Sequence, residues 1–145
     1  MFTQSEKLQK TDAARYNAVT LAFLGDAVYA LYVRDKLVRS NSGKPADLQR
    51  AASGVLSARG QSAFLERVLP MLTQEEEDVF KRGRNAKKAT KSKHASAAEY
   101  ARSTGFEAVL GYLYLSGDYA RIGELLSMIE ESELQGKAAE KYYKP

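Results

Sequence analysis

The chain contains no cysteine. That excludes a disulfide framework and any thiolate metal site. It has one histidine, His94. One imidazole cannot build a multi-histidine zinc site and is a poor foundation for a Ser-His-Asp triad. No apolar run approaches the roughly 18–20 residues of a membrane span, and the N-terminus lacks the apolar segment of a secretory signal. No stretch alternates apolar and polar residues between turn dipeptides, so no sheet is expected, and there is no internal repeat. Proline occurs only at Pro45, Pro70 and Pro145, each near an expected element end. These absences leave a soluble, cytoplasmic, all-α protein as the expectation.

The 145 residues, 44% hydrophobic and 28% charged, suit one ordinary globular domain with a core that needs no staples. The net charge is +4, from 22 basic and 18 acidic residues. It is unevenly spread. Residues 81–94, KRGRNAKKATKSKH, carry seven Lys/Arg and no acid, which leaves a small negative charge on the rest of the chain. A concentrated basic segment on a mildly acidic body points to a polyanion as partner, and its polar, Gly- and Ser-containing composition fits a loop. A plain solvated surface loop is the competing reading.

Helical spacing organises the remainder. A long first helix is expected from about Ala14 to Arg39, with Leu21, Leu24, Val28 and Leu31 on one stripe and Phe23, Ala27, Ala30 and Val33 beside it. Being apolar nearly all round, it should be central and buried. Pro45 suits the first turn of a helix from Ala46 to about Ser57. Another covers about Ala58 to Leu69 and stops at Pro70. Thr73 with Glu76, and Ser96 with Glu99, read as capping boxes opening helices to about Arg84 and Leu115. Gly117 ends the latter, and Asp118 caps a last helix to about Glu131. Residues 133–145 form a polar tail. The tyrosines at 29, 32, 112 and 114 lie at helical spacing and suit core packing or a dimer face.

Two acids occupy apolar surroundings. Asp26 sits in LAFLGDAVYALYV and Glu107 in STGFEAVLGYLYL. Burying an ionised carboxylate without a partner costs several kcal/mol. Gly25 beside Asp26, and Gly111 one turn beyond Glu107, leave room for close backbone approach, although a mid-helix glycine costs about 1 kcal/mol relative to alanine. Two readings stand. Each acid pairs with an arginine such as Arg34, Arg59 or Arg102, or the two together hold Mg²⁺, which takes oxygen ligands and keeps several waters.

Leu21-Ala22-Phe23-Leu24-Gly25-Asp26-Ala27-Val28 resembles the long-helix motif of ribonuclease III domains. Ser103-Thr104-Gly105-Phe106-Glu107-Ala108-Val109-Leu110-Gly111 resembles that family's second acidic motif, and Lys81-Arg82-Gly83-Arg84-Asn85-Ala86-Lys87 is similar to its Mini-ribonuclease III subclass. The resemblance covers about residues 14–130. It implies a helical endonuclease domain over residues 1–132, with a basic loop at 81–95, acting as a homodimer in which each subunit cuts one strand of an RNA duplex. By the same resemblance, Asp26 and Glu107 are the catalytic, metal-binding carboxylates, and the cofactor is Mg²⁺ with Mn²⁺ as substitute. Lys81, Arg82, Arg84, Asn85, Lys87, Lys88, Lys91 and Lys93 would contact RNA. The implied substrate is the precursor of 23S ribosomal RNA, matured at its 5′ and 3′ ends, with a ribosomal protein on that precursor as an additional partner. The family pattern has further acids where this chain has Val19, Ala22 and Thr104, so Ser103 or Thr104 acting through water enters as an expectation. A non-catalytic RNA-binding protein on the same fold is the alternative.

Overall fold

The computed structural model describes residues 6–40, 43–86, 96–129 and 133–134. Seven α-helices cover most of them: α1 (Lys10–Ala14), α2 (Ala18–Ser40), α3 (Pro45–Leu56), α4 (Ala58–Val68), α5 (Gln74–Asn85), α6 (Ala97–Leu115) and α7 (Tyr119–Leu126), with a 3₁₀ turn at Leu69–Met71 between α4 and α5. No strand occurs among the described residues.

The local signals act as expected. Pro45 sits in the first turn of α3. At α5, the Thr73 hydroxyl accepts from the Glu76 amide at 3.2 Å while the Glu76 carboxylate accepts from the Thr73 amide at 2.9 Å. Ser96 and Glu99 repeat the arrangement at α6 with 3.1 and 3.0 Å bonds. Each box satisfies two amides that a helix start would otherwise leave unpaired. Gly117 takes φ +71°, a backbone region that favours glycine, and α6 ends there. Asp118 then caps α7, its carboxylate accepting from the Arg121 amide.

Three boundaries differ from expectation. The first long helix starts at Ala18, not Ala14, because the Asn17 side chain accepts from the Val19 amide at 2.8 Å and caps a new helix, leaving α1 as a separate short turn. The last helix stops at Leu126, with turns over 127–129. Residues 81–85 close α5 and are not loop; residues 87–95 of the basic segment lie outside the described residues.

The core centres on α6, nearly all of which is buried from Ser103 to Leu113. The other helices pack around it, α2 and α5 most extensively. Tyr29, Phe64 and Phe106, from α2, α4 and α6, meet edge to face with centroids 5.4–6.1 Å apart and lock three helices at one point. Tyr29 and Tyr112 are core residues, whereas Tyr32 and Tyr114 are half-buried.

The α2 helix is not buried all round. Leu21, Ala22, Gly25, Tyr29, Val33 and Leu37 face inward. Phe23, Leu31 and Val38 are exposed, Phe23 by 82%. The near-continuous apolar sequence therefore comes from two faces, one packed on α6 and one on the surface.

Glu76, expected as a capping or solvated residue, is buried as well. Arg121 of α7 donates to both of its oxygens at 3.0 Å and also to the Met71 carbonyl. That pairing holds the guanidinium above its ordinary pKa.

Candidate active site at the crossing of two helices

Where α2 crosses α6, backbone meets backbone. A Cβ built on Gly25 would lie 1.6 Å from the Glu107 carbonyl oxygen, and one on Gly111 would lie 2.1 Å from the Leu21 carbonyl oxygen. No side chain fits at either point. The two glycines read from the sequence as space for close approach thus bring the helices together, and each lies next to or one turn from an acid.

An open pocket of about 400 Å³ forms beside this crossing. Asp26 and Glu107 both line it, from α2 and α6 respectively. The burial expected for the two acids holds only in part. Asp26 is exposed and Glu107 is half-buried, because both sit at the pocket's edge and not in the core behind it. No ion pair joins Asp26 to Arg34, Arg59 or Arg102 among the described residues, and Arg34 and Arg59 are themselves exposed. Arg102 keeps a buried Nε with no hydrogen-bond partner.

Val19, Ala22 and Thr104 also line the pocket, so the positions at which the family pattern carries further acids lie at this site and hold uncharged side chains. Among the described residues no group of three or more His, Cys, Asp or Glu is placed to hold a metal. The candidate donor set is two carboxylates with neutral oxygens nearby, the Ser57, Ser103 and Thr104 hydroxyls. All are hard oxygen donors, without nitrogen or sulfur ligands of the kind a softer metal favours. The Ser103 and Thr104 hydroxyls both donate to the Tyr100 carbonyl, at 2.9 and 3.0 Å, which leaves their oxygens as acceptors only in this arrangement.

Gln61 carried no signal in the sequence. It is the polar member of the buried set of an otherwise ordinary amphipathic helix, with Phe64, Leu65 and Val68, and its contact with Glu107 spans 46 positions. Its side chain is 1% exposed. Tyr29, close behind Glu107, has a buried hydroxyl without a partner; burial first, then the Glu133 and Glu107 carboxylates, push its pKa upward.

The expected RNA-contacting residues divide into groups. Lys81 pairs with Glu77 one turn back at 3.3 Å. Arg82, although exposed, reaches across the surface to donate to the Ala14 and Tyr16 carbonyls at the end of α1, so its guanidinium has a structural task here. Arg84 lies 5.7 Å from the Phe80 ring centroid and donates to Asn85. Lys87, Lys88, Lys91 and Lys93, with His94, lie outside the described residues.

Comparison with known proteins agrees with the motifs. The family model for the ribonuclease III domain matches residues 19–118. A Mini-ribonuclease 3 of Symbiobacterium thermophilum is 48% identical over 108 residues, covering 74% of this chain and 83% of the relative. That of Brevibacillus brevis is 44% identical over 123 residues, covering 85% and 91%. A crystal structure of a Fusobacterium nucleatum protein superimposes with a TM-score of 0.72 at 25% identity, over 79% of this chain and 92% of that one. With the two acidic motifs meeting at one pocket of a helical domain, the chain belongs to the ribonuclease III domain family of double-strand-specific endoribonucleases, on its Mini-ribonuclease 3 branch.

Proposed function

We propose that this chain is a Mg²⁺-dependent endoribonuclease in which Asp26 and Glu107 hold the cation. The observation that carries the reading is the shared pocket: two carboxylates from helices 81 positions apart in sequence face one cavity, registered by the Gly25–Gly111 crossing. Mg²⁺ fits this sparse donor set because it keeps several waters and needs only one or two protein carboxylates. When bound, the cation supplies a Lewis acid and an acidified water for phosphodiester hydrolysis. The protein's own residues do the rest. Asp26, exposed at the rim, is open to solvent and substrate, while Glu107 is steadied from behind by the helix crossing. The Ser103 and Thr104 oxygens add acceptors for water at the pocket wall.

The exposed Phe23 supports a homodimer. It lines the pocket and is 82% exposed, and burying such a ring yields about 1.5–3 kcal/mol. A second copy seated there would bring a second centre to the opposite strand of a duplex. A-form RNA is read mainly by shape across its wide minor groove. The basic segment ending α5 and running to residue 95 supplies phosphate contacts; the substrate proposed for it, on the family resemblance of the chain, is the 23S ribosomal RNA precursor, with cytoplasmic action and a ribosomal protein shaping that precursor. No helix among the described residues is long and apolar enough to cross a membrane.

The test is cleavage of a double-stranded precursor RNA with Mg²⁺, with Mn²⁺ and with EDTA. Cutting that needs the cation and disappears in Asp26→Asn supports the reading. Binding without cutting under all three conditions moves the chain to the non-catalytic alternative. Replacing Lys87, Lys88, Lys91 and Lys93 with glutamine should weaken RNA binding and lower its log–log salt slope by roughly 0.7–0.9 per lost phosphate contact. An unaltered slope would remove the segment from the interface.

A further inference from the structure

Gln61 stands in the first turn and a half of α4, with a side chain 1% exposed at the wall of the pocket. Its Nε2 donates to the Leu56 carbonyl at 3.0 Å and reaches Glu107 Oε2 at 3.4 Å. Its Oε1 is buried and has no hydrogen-bond partner. The orientation of the amide follows from these facts. Turning it over would set Oε1 against two oxygens and strip both of a donor. The side chain satisfies two acceptors and leaves its own oxygen unsatisfied, which is unfavourable in a buried place. A residue kept only to fill this space would be Leu or Met, with no polar atom to orphan.

The donor is also neutral. An Arg or Lys at this position would neutralise Glu107 and compete with a cation for it. An amide orients the carboxylate without adding charge. Glutamate is a long side chain that sweeps a wide arc, so a fixed donor narrows the positions its oxygens sample. Orienting partners of this kind tune the affinity of metal ligands. They matter most where ligands are few, and here Val19, Ala22 and Thr104 occupy the places of further acids.

We propose that Gln61 is a positioning residue for Glu107: through Nε2 it ties the carboxylate to the end of α3 and holds it ready for a divalent cation. The proposal rests on the reading of Asp26 and Glu107 as the cation-holding pair.

The experiment measures Mn²⁺ binding to the full chain without RNA, by calorimetric titration, for the parent, Gln61→Met and Asp26→Asn, alongside metal-free thermal melts. Gln61→Met keeps the shape and removes the donor. The expected result is a dissociation constant raised about tenfold in Gln61→Met with a metal-free melting point that does not fall. A Gln61→Met protein that binds Mn²⁺ as tightly as the parent, while Asp26→Asn does not, overturns the role of Gln61 alone. Unaltered binding in both variants overturns the cation-pair reading and the proposal with it. A lowered melting point with parental Mn²⁺ affinity makes Gln61 a cap for α3 and likewise overturns it. Should Gln61→Met fail to fold, the parent itself answers: Mg²⁺ titration should shift the Gln61 side-chain amide resonances in a ¹⁵N–¹H spectrum, and resonances that stay in place refute the link.

Discussion

The two faces of α2 have similar chemistry and opposite situations. Inward, Leu21, Gly25, Tyr29 and Val33 pack against α6 so closely that the main chains touch. Outward, Phe23, Leu31 and Val38 are just as apolar and stand on the surface. Asp26 and the pocket lie on the seam between them. The difference teaches that apolar composition does not measure burial. What separates the faces is glycine: the buried side has a residue with no side chain at the point of contact, and the exposed side offers a large ring at 82% exposure. The inner face needs fixed, close geometry, whereas the outer face leaves its apolar side chains uncovered within the chain.

The comparison breaks most forcibly from the inside. Gly25→Ala or Gly111→Ala puts a methyl group within 1.6 or 2.1 Å of a carbonyl oxygen. Backbone cannot step aside as a side chain does, so each should lower stability by about 3 kcal/mol or more in urea melts. A loss within about 0.5 kcal/mol would mean that the helices slide freely. At the seam, Glu107→Gln should slow single-turnover cleavage by about 10²-fold or more, equivalent to roughly 3 kcal/mol of activation free energy, with the melting point little altered. Full activity in that variant would take Glu107 out of the site. On the outer face, if the proposed dimer forms there, Phe23→Asp should raise its dissociation constant by at least about tenfold in sedimentation experiments, since each copy loses about 1.5–3 kcal/mol of apolar burial. The monomer should melt as before. Unfolding instead of dissociation would show that both faces serve the same core.

The smallest effect serves as a control that touches neither face. The Ser96 amide and then the Ser62 hydroxyl, which donates at 2.9 Å, hold the Glu99 carboxyl below its ordinary pKa of 4.5. Because the folded value is depressed, the stabilisation is present above the unfolded pKa and is lost as pH falls through the folded one. Ser62→Ala should raise the Glu99 pKa in an NMR titration and so shrink that acid-side window, leaving RNA cleavage at neutral pH as it was. An unmoved titration would mean that the Ser96 amide alone sets the value.

Much of the architecture was legible in the chain because its signals are local. The Thr73–Glu76 and Ser96–Glu99 boxes, Pro45, Gly117 and Asp118 all act within a few residues of themselves, and each does what its chemistry dictates. Asn17 is equally local, but the alanines and tyrosine before it suit a helix as well, so the cap that starts α2 does not stand out in the sequence. That Asp26 and Glu107 come to the same pocket was legible through motifs and neighbouring glycines. Their exposure was not, because an exposed apolar stripe and a buried one read alike in a sequence. Contacts over long separations left no trace at all. Glu76 meets Arg121 across 45 positions and Gln61 meets Glu107 across 46, and nothing in either segment announces the other.

The contact between Gly25 and the main chain of Glu107 has a consequence for how such a centre drifts over time. The distance between the acids is gauged by peptide atoms, which every amino acid possesses, and not by the bulk of particular neighbours. Surrounding side chains can then be exchanged without recalibrating the gap, so long as the two main chains stay in contact. What such a ruler cannot tolerate is a single carbon added at its zero mark.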